Sequence, residues 1–229
     1  IFHLGFHLWG ETDTGWEQLN KRLIVGTGVD SNETRKYTKT IRLNRRLANQ
    51  VSRFGISSID NNGDEQESYL FINRDGSSER EIFSATQGGF RALGDIGSDN
   101  DSLFLASTER TGLHYDIYQG SISSGDLELI FEGNYGNFAR ALSPDGRYLV
   151  VTETVGEDAD YLYLLDTTTR EMRVVSQPES RANHGDGGFA WSPDSQTLYM
   201  SSNTDREFAA VVAYDVIDGR FESLVESEF

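Results

Sequence analysis

The sequence predicts an all-β protein, a partial β-propeller built from four-stranded antiparallel blades. The phrase Ser-Pro-Asp occurs twice, and its prolines, Pro144 and Pro193, are 49 residues apart. Each phrase precedes a strand-like run and then an apolar run that ends in aspartate, and these aspartates, Asp166 and Asp215, are also 49 residues apart. A fixed period of about 40 to 50 residues, with several short strands in each unit, is typical of a propeller.

The clearest unit covers residues 133–176. Its first strand is predicted at 138–142, where large side chains alternate with alanine. The following turn is Ser143-Pro144-Asp145-Gly146, since proline fixes φ at the first central position and aspartate and glycine suit the later ones. A polar loop is expected at 154–160. The remaining strands are predicted at 147–152, 161–165 and 172–175.

Three further units are predicted from the same order of elements. The unit at 177–229 repeats it clearly. The unit at 87–132 has Ile96-Gly-Ser-Asp99-Asn100 where the Ser-Pro-Asp turn belongs, and the unit at 50–86 shows three strands and a polar loop. The unit at 177–229 is expected to have strands at 188–191, 197–201, 209–214 and 221–225. The strands of the unit at 87–132 are expected at 90–93, 103–105, 115–118 and 127–131, and those of the unit at 50–86 at 53–57, 68–72 and 80–83.

Residues 1–49 are predicted to hold a partial blade and an irregular basic segment. We interpret the runs at 6–9 and 14–19 as the last two strands of an earlier blade. The segment 21–49 has no Ser-Pro-Asp turn, and its apolar residues at 41–47 fit neither the strand period nor the helix period. It is a loop, an insertion or a stretch of faulty sequence. The chain is therefore expected to contain about four blades plus a remnant.

Composition and charge limit the kinds of partner. The net charge of −17 repels phosphate backbones, so we expect no nucleic-acid partner. No run of about 18 apolar residues occurs, which argues against a transmembrane helix and a membrane partner. The chain has no cysteine, so it has neither disulfides nor a thiolate metal site. A chain without cysteine suits the cytoplasm, which we favour over the periplasm.

Three features resemble a known family: the paired Ser-Pro-Asp turns, Tyr161-Leu-Tyr-Leu-Leu-Asp166 and Asn203-Thr-Asp-Arg-Glu-Phe208. Together they resemble the propeller of prolyl-oligopeptidase-family serine peptidases, in particular the acylaminoacyl- and dipeptidyl-peptidase-like members. The stretch Gly15-Trp-Glu-Gln-Leu19 is similar to a Trp-Pro-Glu-Gln-Leu stretch of that family, without its proline. The resemblance covers about residues 50–229 and, less closely, 1–20. The same turn also occurs in TolB-like propellers.

The resemblance implies that a parent protein hydrolyses peptides without a cofactor. In this family the propeller precedes an α/β-hydrolase domain that carries Ser, Asp and His, and it admits only peptides or small acylated substrates to that domain. This chain has no Gly-x-Ser-x-Gly nucleophile elbow, so we assign it no catalytic residue, and we assign it no metal ligand. The implied partners are a peptide substrate and a C-terminal α/β-hydrolase domain.

The resemblance also implies an open arc, because propellers of this family usually have seven or eight blades. The blade at 177–229 is then expected to leave Phe208, Val212 or neighbouring apolar groups partly in water, where a further blade would pack. A closed ring would instead favour a stand-alone binding module.

One loop is a candidate contact site. Arg181, Asn183, His184 and Asp186 lie in a glycine-rich stretch that leads into the first strand of the last unit. Loops that enter inner strands face one end of a propeller channel. We therefore predict that these side chains contact a peptide substrate or the hydrolase domain. The alternative is a solvated connecting loop whose glycines serve turns.

Two other apparent ligand groups are interpreted as structural. Residues 60–65 place oxygen ligands at alternate positions, as at the start of a calcium loop, but the sixth position is not glycine. Phe71 also stands where such a loop needs its bidentate acid. His3 and His7 have a helical spacing in strand-like sequence and no evident third ligand. The sequence therefore predicts no metal site.

Two other functions stay open. A TolB-like propeller would be a binding module for protein–protein contacts. A propeller lyase or glycosidase would act in the channel and would need clustered histidines or paired acids on inner strands, but those strands carry mainly Phe, Ala, Leu and Trp. A nucleophile elbow in sequence beyond this chain would select the peptidase.

Overall fold

The computed structural model describes residues 2–12, 15–18, 24–28, 53–59, 67–73, 75, 77–78, 80–83, 89–179 and 181–225. Within these ranges the chain forms eighteen β-strands and no helix. The strands form one larger sheet and three four-stranded antiparallel sheets. The prediction of an all-β partial propeller is therefore confirmed.

The first sheet contains the six strands nearest the N-terminus. They are β1 (Phe2–Thr12), β2 (Gly15–Gln18), β3 (Ile24–Gly28), β4 (Arg53–Ile59), β5 (Glu67–Asn73) and β6 (Arg80–Phe83). Their order is β2-β1-β4-β5-β6, and β3 also pairs with β1. The β1–β4 ladder runs from Gly5–Ile59 to Gly10–Phe54, so these two strands are neighbours in one sheet. The unit boundaries, including the partial blade expected within 1–49, stay predictions.

Three four-stranded sheets follow, and each has its strands in chain order. The first contains β7 (Arg91–Ile96), β8 (Ser102–Ser107), β9 (Asp116–Ser121) and β10 (Leu127–Phe131). The second contains β11 (Asn137–Leu142), β12 (Tyr148–Gly156), β13 (Ala159–Asp166) and β14 (Met172–Ser176). The third contains β15 (His184–Trp191), β16 (Thr197–Ser202), β17 (Ala210–Asp215) and β18 (Arg220–Val225). Because β11 contacts both β7 and β15, the first strands of these sheets converge as the inner strands.

The hairpin of β12 and β13 is longer than the sequence predicts. The polar stretch 154–160 is expected to be a loop, but the paired register continues from Tyr148–Asp166 to Gly156–Ala159. Backbone hydrogen bonds extend the ladder beyond the buried part of the sheet. The side chains of this extension are mostly polar and exposed to water. Pairing with a partner strand therefore decides the conformation here, because intrinsic strand propensity is weak.

The core lies between sheets, and alternate residues of one strand serve different interfaces. On β12, Leu149 and Val151 pack toward the β7–β10 sheet, whereas Val150 packs toward the β15–β18 sheet. On β13, Leu162 and Leu164 also face the β15–β18 sheet. All five side chains are fully or almost fully buried. Packing between successive blades thus replaces the stabilisation that disulfides could have supplied.

The far face of the β15–β18 sheet is partly exposed. Val211 lies one 49-residue period after Leu162, yet it is 45% exposed whereas Leu162 is completely buried. Phe208 is 56% exposed, as predicted. The prediction for Val212 is wrong, since its side chain is buried in a cluster with Leu162 and Leu198. The reason is that adjacent residues of a strand point to opposite faces, so Val211 and not Val212 faces outward.

The two Ser-Pro-Asp turns have the same geometry and contact each other. Ser143 Oγ donates to Asp145 Oδ1 at 2.6 Å, and Ser192 and Asp194 repeat this bond at 2.6 Å. The backbone amide of Asp145 donates to Ser195 Oγ at 3.1 Å. Ser195 is buried and has a left-handed φ of 61°, so it is a structural turn residue rather than a nucleophile.

The repeated aspartate at the end of each third strand caps a turn. Asp166 Oδ1 accepts hydrogen bonds from the amides of Thr168 and Thr169 at 2.9 Å, and Arg147 Nε donates to Oδ2 at 3.0 Å. Asp215 accepts two equivalent amide bonds one period later. The bond from the Thr169 amide is the main cause that lowers the pKa of Asp166, and burial acts in the opposite direction.

We expect Asp166→Asn to lower the free energy of unfolding at pH 7 by about 1 to 2 kcal/mol, because hydrogen bonds to a charged acceptor are weakened. A lowered folded-state pKa contributes stability that is fully present above the unfolded-state value of 3.8 and is lost as pH falls through the folded-state pKa. The difference between wild type and variant should therefore shrink below about pH 4. Urea unfolding at neutral and acidic pH measures it.

The control for this prediction is Asp205→Asn, because the Asp205 carboxylate makes no hydrogen bond within the ranges that the structure describes. This variant should unfold like the wild type at both pH values. An Asp166→Asn difference that stays constant from neutral to acidic pH would contradict the assignment.

Candidate functional site

The inner strands border an open cavity of about 530 Å³. Its walls come from three successive sheets. The lining residues are Asp95, Arg140, Ala141, Asp160, His184, Gly185, Gly188 and Phe189. A concave site of about 300 to 1,000 Å³ with a few converging polar groups is the usual form of a ligand-binding site. This cavity is therefore the candidate functional site.

Strand β15 bulges where it enters the cavity. It has four residues between His184 and Phe189, whereas the paired strand β16 has one residue between their partners. Gly185 and Gly188 have φ values of 75° and 99°, which side chains disfavour. A Cβ atom on Gly185 would also lie 2.4 Å from the ring of Phe189. The glycines therefore allow this bulge, and bulges commonly redirect backbone beside functional sites.

His184 forms a buried hydrogen-bond network at one side of the cavity. Its Nδ1–H donates to Asp160 Oδ1 at 2.6 Å, and its backbone amide donates to the same oxygen at 3.1 Å. Its Nε2 lies 3.0 Å from Ser176 Oγ and 3.1 Å from Thr204 Oγ1. Because Asp160 and Ser176 belong to the β11–β14 sheet and His184 begins β15, the network joins two blades.

Asp160, His184 and Ser176 have the connectivity of a hydrolase triad but lack its accessibility. The imidazole has no exposed surface, and Ser176 is buried. The hydroxyl of Thr204 shares the same Nε2 atom. A nucleophilic hydroxyl must reach a substrate carbonyl beside oxyanion donors. The network is therefore a structural link between sheets.

Arg140 is the one arginine or lysine among the described residues that line the cavity. Its Nε–H donates to Thr152 Oγ1 at 2.7 Å, and its guanidinium carbon lies 5.1 Å from the centre of the Phe138 ring. Burial lowers the pKa of Arg140, and the charge of Asp160 acts in the opposite direction. The hydrogen bond and the ring contact hold the guanidinium at the cavity wall.

Asp95 ties two inner strands together. Its Oδ2 accepts the amide of Leu142 at 2.8 Å, and its Oδ1 accepts the amide of Ile96 at 2.8 Å. Burial raises the pKa of Asp95, although both amide bonds act in the opposite direction. The strands can approach because Gly94 lacks a side chain: a Cβ atom there would lie 2.5 Å from Ala139 Cβ.

Of the four predicted contact residues, the three whose side chains the structure describes, Arg181, Asn183 and His184, do not share one site. Arg181 forms an exposed ion pair away from the cavity. The amide of Asn183 donates to Asn203 Oδ1 at 2.7 Å. His184 lines the cavity but is engaged by its network, and the side chain of Asp186 lies outside the described residues. Their role as contacts of a substrate or a hydrolase domain stays a prediction.

Sequence reasoning missed Arg140, Asp95 and Asp160. Arg140 stands in the run Phe138-Ala-Arg-Ala-Leu142, and a charged residue between alanines on an inner strand is a signal that could have identified it. Asp160 lies in a stretch expected to be a loop. Asp95 lies beyond the strand predicted at 90–93, although the observed strand β7 includes it. Asp95 and Arg140 lie on the inner strands β7 and β11, whereas Asp160 lies on β13, so the packing of whole sheets places them around one cavity.

Neither a metal centre nor a membrane span is found in the part of the chain that the structure describes. No group of three or more potential metal ligands occurs in those ranges. None of those ranges contains a helix long and apolar enough to cross a membrane. The calcium-like residues 60–65 and the side chains of His3 and His7 lie outside the described residues.

No family model matches the chain, and no curated protein matches it. Solved structures do match. A prolyl endopeptidase structure has a TM-score of 0.60 and 14% identity, over 78% of this chain and 28% of that chain. TolB from Acinetobacter baumannii has a TM-score of 0.55 and 19% identity, over 70% of this chain and 38% of that chain. Oligogalacturonate lyase from Vibrio parahaemolyticus has a TM-score of 0.56 and 17% identity, over 72% of this chain and 46% of that chain.

At these identities the likeness shows the fold. The chain is a partial β-propeller similar to those in prolyl endopeptidase and TolB structures, as the resemblance of its repeats implied. It spans less than half the length of each of these three structures. It spans 88% of another similar structure, a putative TolB from Agrobacterium tumefaciens, with a TM-score of 0.56 and 13% identity over 97% of this chain. The activity of a whole parent protein is therefore a matter of proposal.

Proposed function

We propose that this chain is the non-catalytic propeller portion of a serine peptidase and that it gates peptide access to an α/β-hydrolase domain. The observation that carries the proposal is the open cavity where three inner strands converge. Its volume of about 530 Å³ suits a short stretch of peptide. The Ser-Pro-Asp repeats support the same family, and the fold agrees with it.

The chemistry of hydrolysis belongs to another domain in this proposal. A serine peptidase needs a nucleophile, a base and oxyanion donors around one accessible point. Within the described ranges, the one serine–histidine–aspartate chain, at Ser176, His184 and Asp160, is buried between sheets. The chain would then contribute access control, and a partner domain would contribute catalysis.

The test compares residues 1–229 alone with the whole protein that the gene encodes. Both are assayed on acyl-aminoacyl and dipeptidyl chromogenic substrates. We expect the whole protein to release chromophore, a serine-directed inhibitor to abolish this activity, and residues 1–229 alone to give no turnover. Gating further predicts that the whole protein cleaves short peptides and spares a folded polypeptide that contains the same sequence.

Two results would overturn the proposal. One is inhibitor-sensitive turnover by residues 1–229 alone, since the chain would then be catalytic. The other is a gene product that contains no Gly-x-Ser-x-Gly elbow followed by aspartate and histidine.

The second candidate function is a TolB-like binding module for protein contacts. The likeness to TolB from Acinetobacter baumannii supports it to the same degree as the likeness to a prolyl endopeptidase. The partly exposed apolar groups Val211 and Phe208 would suit such contacts. A gene product without a hydrolase domain would favour this candidate.

A further inference from the structure

The guanidinium of Arg140 is held on one side and free on the other. Its Nε–H is used by Thr152, and the contact with the Phe138 ring orients its plane. Its Nη1 and Nη2 groups make no hydrogen bond or ion pair with any residue that the structure describes. The remaining N–H donors of this planar fork are therefore available to the cavity.

Within the described ranges, Arg140 lacks the carboxylate partner that several other arginines of this acidic chain have. With 37 acidic and 20 basic residues, carboxylate partners are abundant. Five other described arginines form ion pairs with carboxylates: Arg91, Arg110, Arg147, Arg170 and Arg181. Arg140 instead lies on an inner strand, its side chain is exposed at the open cavity, and no described carboxylate forms an ion pair with it. Its guanidinium can therefore pair with an anion that enters the cavity.

The two carboxylates among the described lining residues of the cavity are engaged by other groups. Asp160 accepts hydrogen bonds from the imidazole and the amide of His184. Asp95 accepts the amide of Leu142 across the inner strands. Both acids nevertheless make the local field unfavourable to a highly charged anion. One free cation beside two acids therefore suits a monoanion better than a phosphate dianion.

We propose that Arg140 binds a carboxylate of a peptide that enters the cavity, either its C-terminal carboxylate or an acidic side chain. The two oxygens of a carboxylate match the parallel donors of the guanidinium fork. Gly185 and Gly188 leave room for backbone beside it, and the ring of Phe189 offers an apolar wall. This inference rests on the proposed function only in that peptides reach the cavity.

The experiment measures binding to residues 1–229 and does not use hydrolysis. The probes are acetyl-Phe-Ala with a free carboxylate, the same peptide as its amide, and acetyl-Phe-Glu amide, which carries only a side-chain carboxylate. We expect the preferred carboxylate peptide to bind with a Kd of about 1 mM or tighter and acetyl-Phe-Ala amide to bind at least about tenfold more weakly. The Arg140 Nε–H resonance should shift with the bound carboxylate only. Preference for the glutamate peptide assigns an acidic side chain, and preference for the free acid assigns the C-terminus.

The variants separate recognition from folding. Arg140→Gln should lose at least about tenfold affinity for the preferred peptide, and Arg140→Lys should lose part of it, because lysine keeps the charge without the fork. Thr152→Val removes the structural hydrogen bond of Arg140 but keeps its cation, so it should still prefer carboxylate over amide. Arg181→Gln is the matched control, since it removes an exposed arginine outside the cavity and should bind like the wild type.

Several outcomes would overturn the inference. They are no measurable binding, equal affinity for carboxylate and amide peptides, and wild-type affinity in Arg140→Gln. Stronger competition by inorganic phosphate than by acetate would overturn the choice of carboxylate. If the chain binds carboxylate peptides but its gene encodes no hydrolase domain, this inference stands and the proposed function fails.

Discussion

Replacing Gly94 with alanine is expected to lower the free energy of unfolding by about 3 kcal/mol. A Cβ atom at this position would lie 2.5 Å from Ala139 Cβ and 2.8 Å from the carbonyl carbon and oxygen of Ala139. Two of these three atoms belong to backbone, so no rotamer change relieves the overlap. Strands β7 and β11 would have to separate, which would also weaken the hydrogen bond from the Leu142 amide to Asp95. Urea unfolding followed by circular dichroism measures the change.

Gly156→Ala is the matched control for this prediction. Gly156 also lies in a strand of the blades, but a Cβ atom there would approach only Ala159 Cβ at 3.6 Å, an ordinary contact. The control should change stability by less than about 0.5 kcal/mol. If Gly94→Ala unfolds at the same urea concentration as Gly156→Ala, the inner strands are not as close as described here.

Replacing His184 with alanine is expected to cost about 3 kcal/mol of unfolding free energy. The substitution removes the imidazole donor of the Asp160 carboxylate, keeps the backbone amide donor, and leaves the hydroxyls of Ser176 and Thr204 facing a new void. The loss of a hydrogen bond to a charged group between packed sheets costs more than the loss of a surface contact. Chemical unfolding monitored by tryptophan fluorescence measures the loss, since Trp191 lies on the same strand.

His114→Ala is the control for this second prediction. His114 is exposed, and its one hydrogen bond in the described ranges uses its backbone amide, which alanine keeps. Asp160→Asn combined with His184→Ala should cost less than the sum of the two single changes, because both remove the same hydrogen bond. Additive losses would show that the imidazole and the carboxylate are not coupled.

The turns and strands of the blades could be predicted because their causes are local. Proline, aspartate and glycine set the Ser-Pro-Asp turn within four residues, and the structure repeats that turn with Ser195 in the left-handed position. Alternating apolar residues place β11 and β17 close to their observed bounds. The 154–160 loop was predicted wrongly because strand pairing, which is not local, extends the hairpin there.

The site could be predicted only in part. The sequence directed attention to Arg181, Asn183, His184 and Asp186 because they are polar and near glycines. Of the three whose side chains the structure describes, His184 alone lines the cavity. Arg140 was overlooked because a single arginine in a strand is also what alternation of inward and outward side chains produces. No local pattern shows that Nη1 and Nη2 of this arginine have no partner among the described residues.

The sequence by itself determined the repeat, the order of strands in each blade, the turn chemistry and the absence of a nucleophile elbow. These follow from short-range rules that act over a few residues. Only the tertiary structure decided that Val211 faces outward instead of Val212, that His184 turns into the interface between blades, and that Asp95, Arg140 and Asp160 surround one cavity. The cavity groups lie on separate strands, so their proximity depends on how whole sheets pack and not on any local pattern.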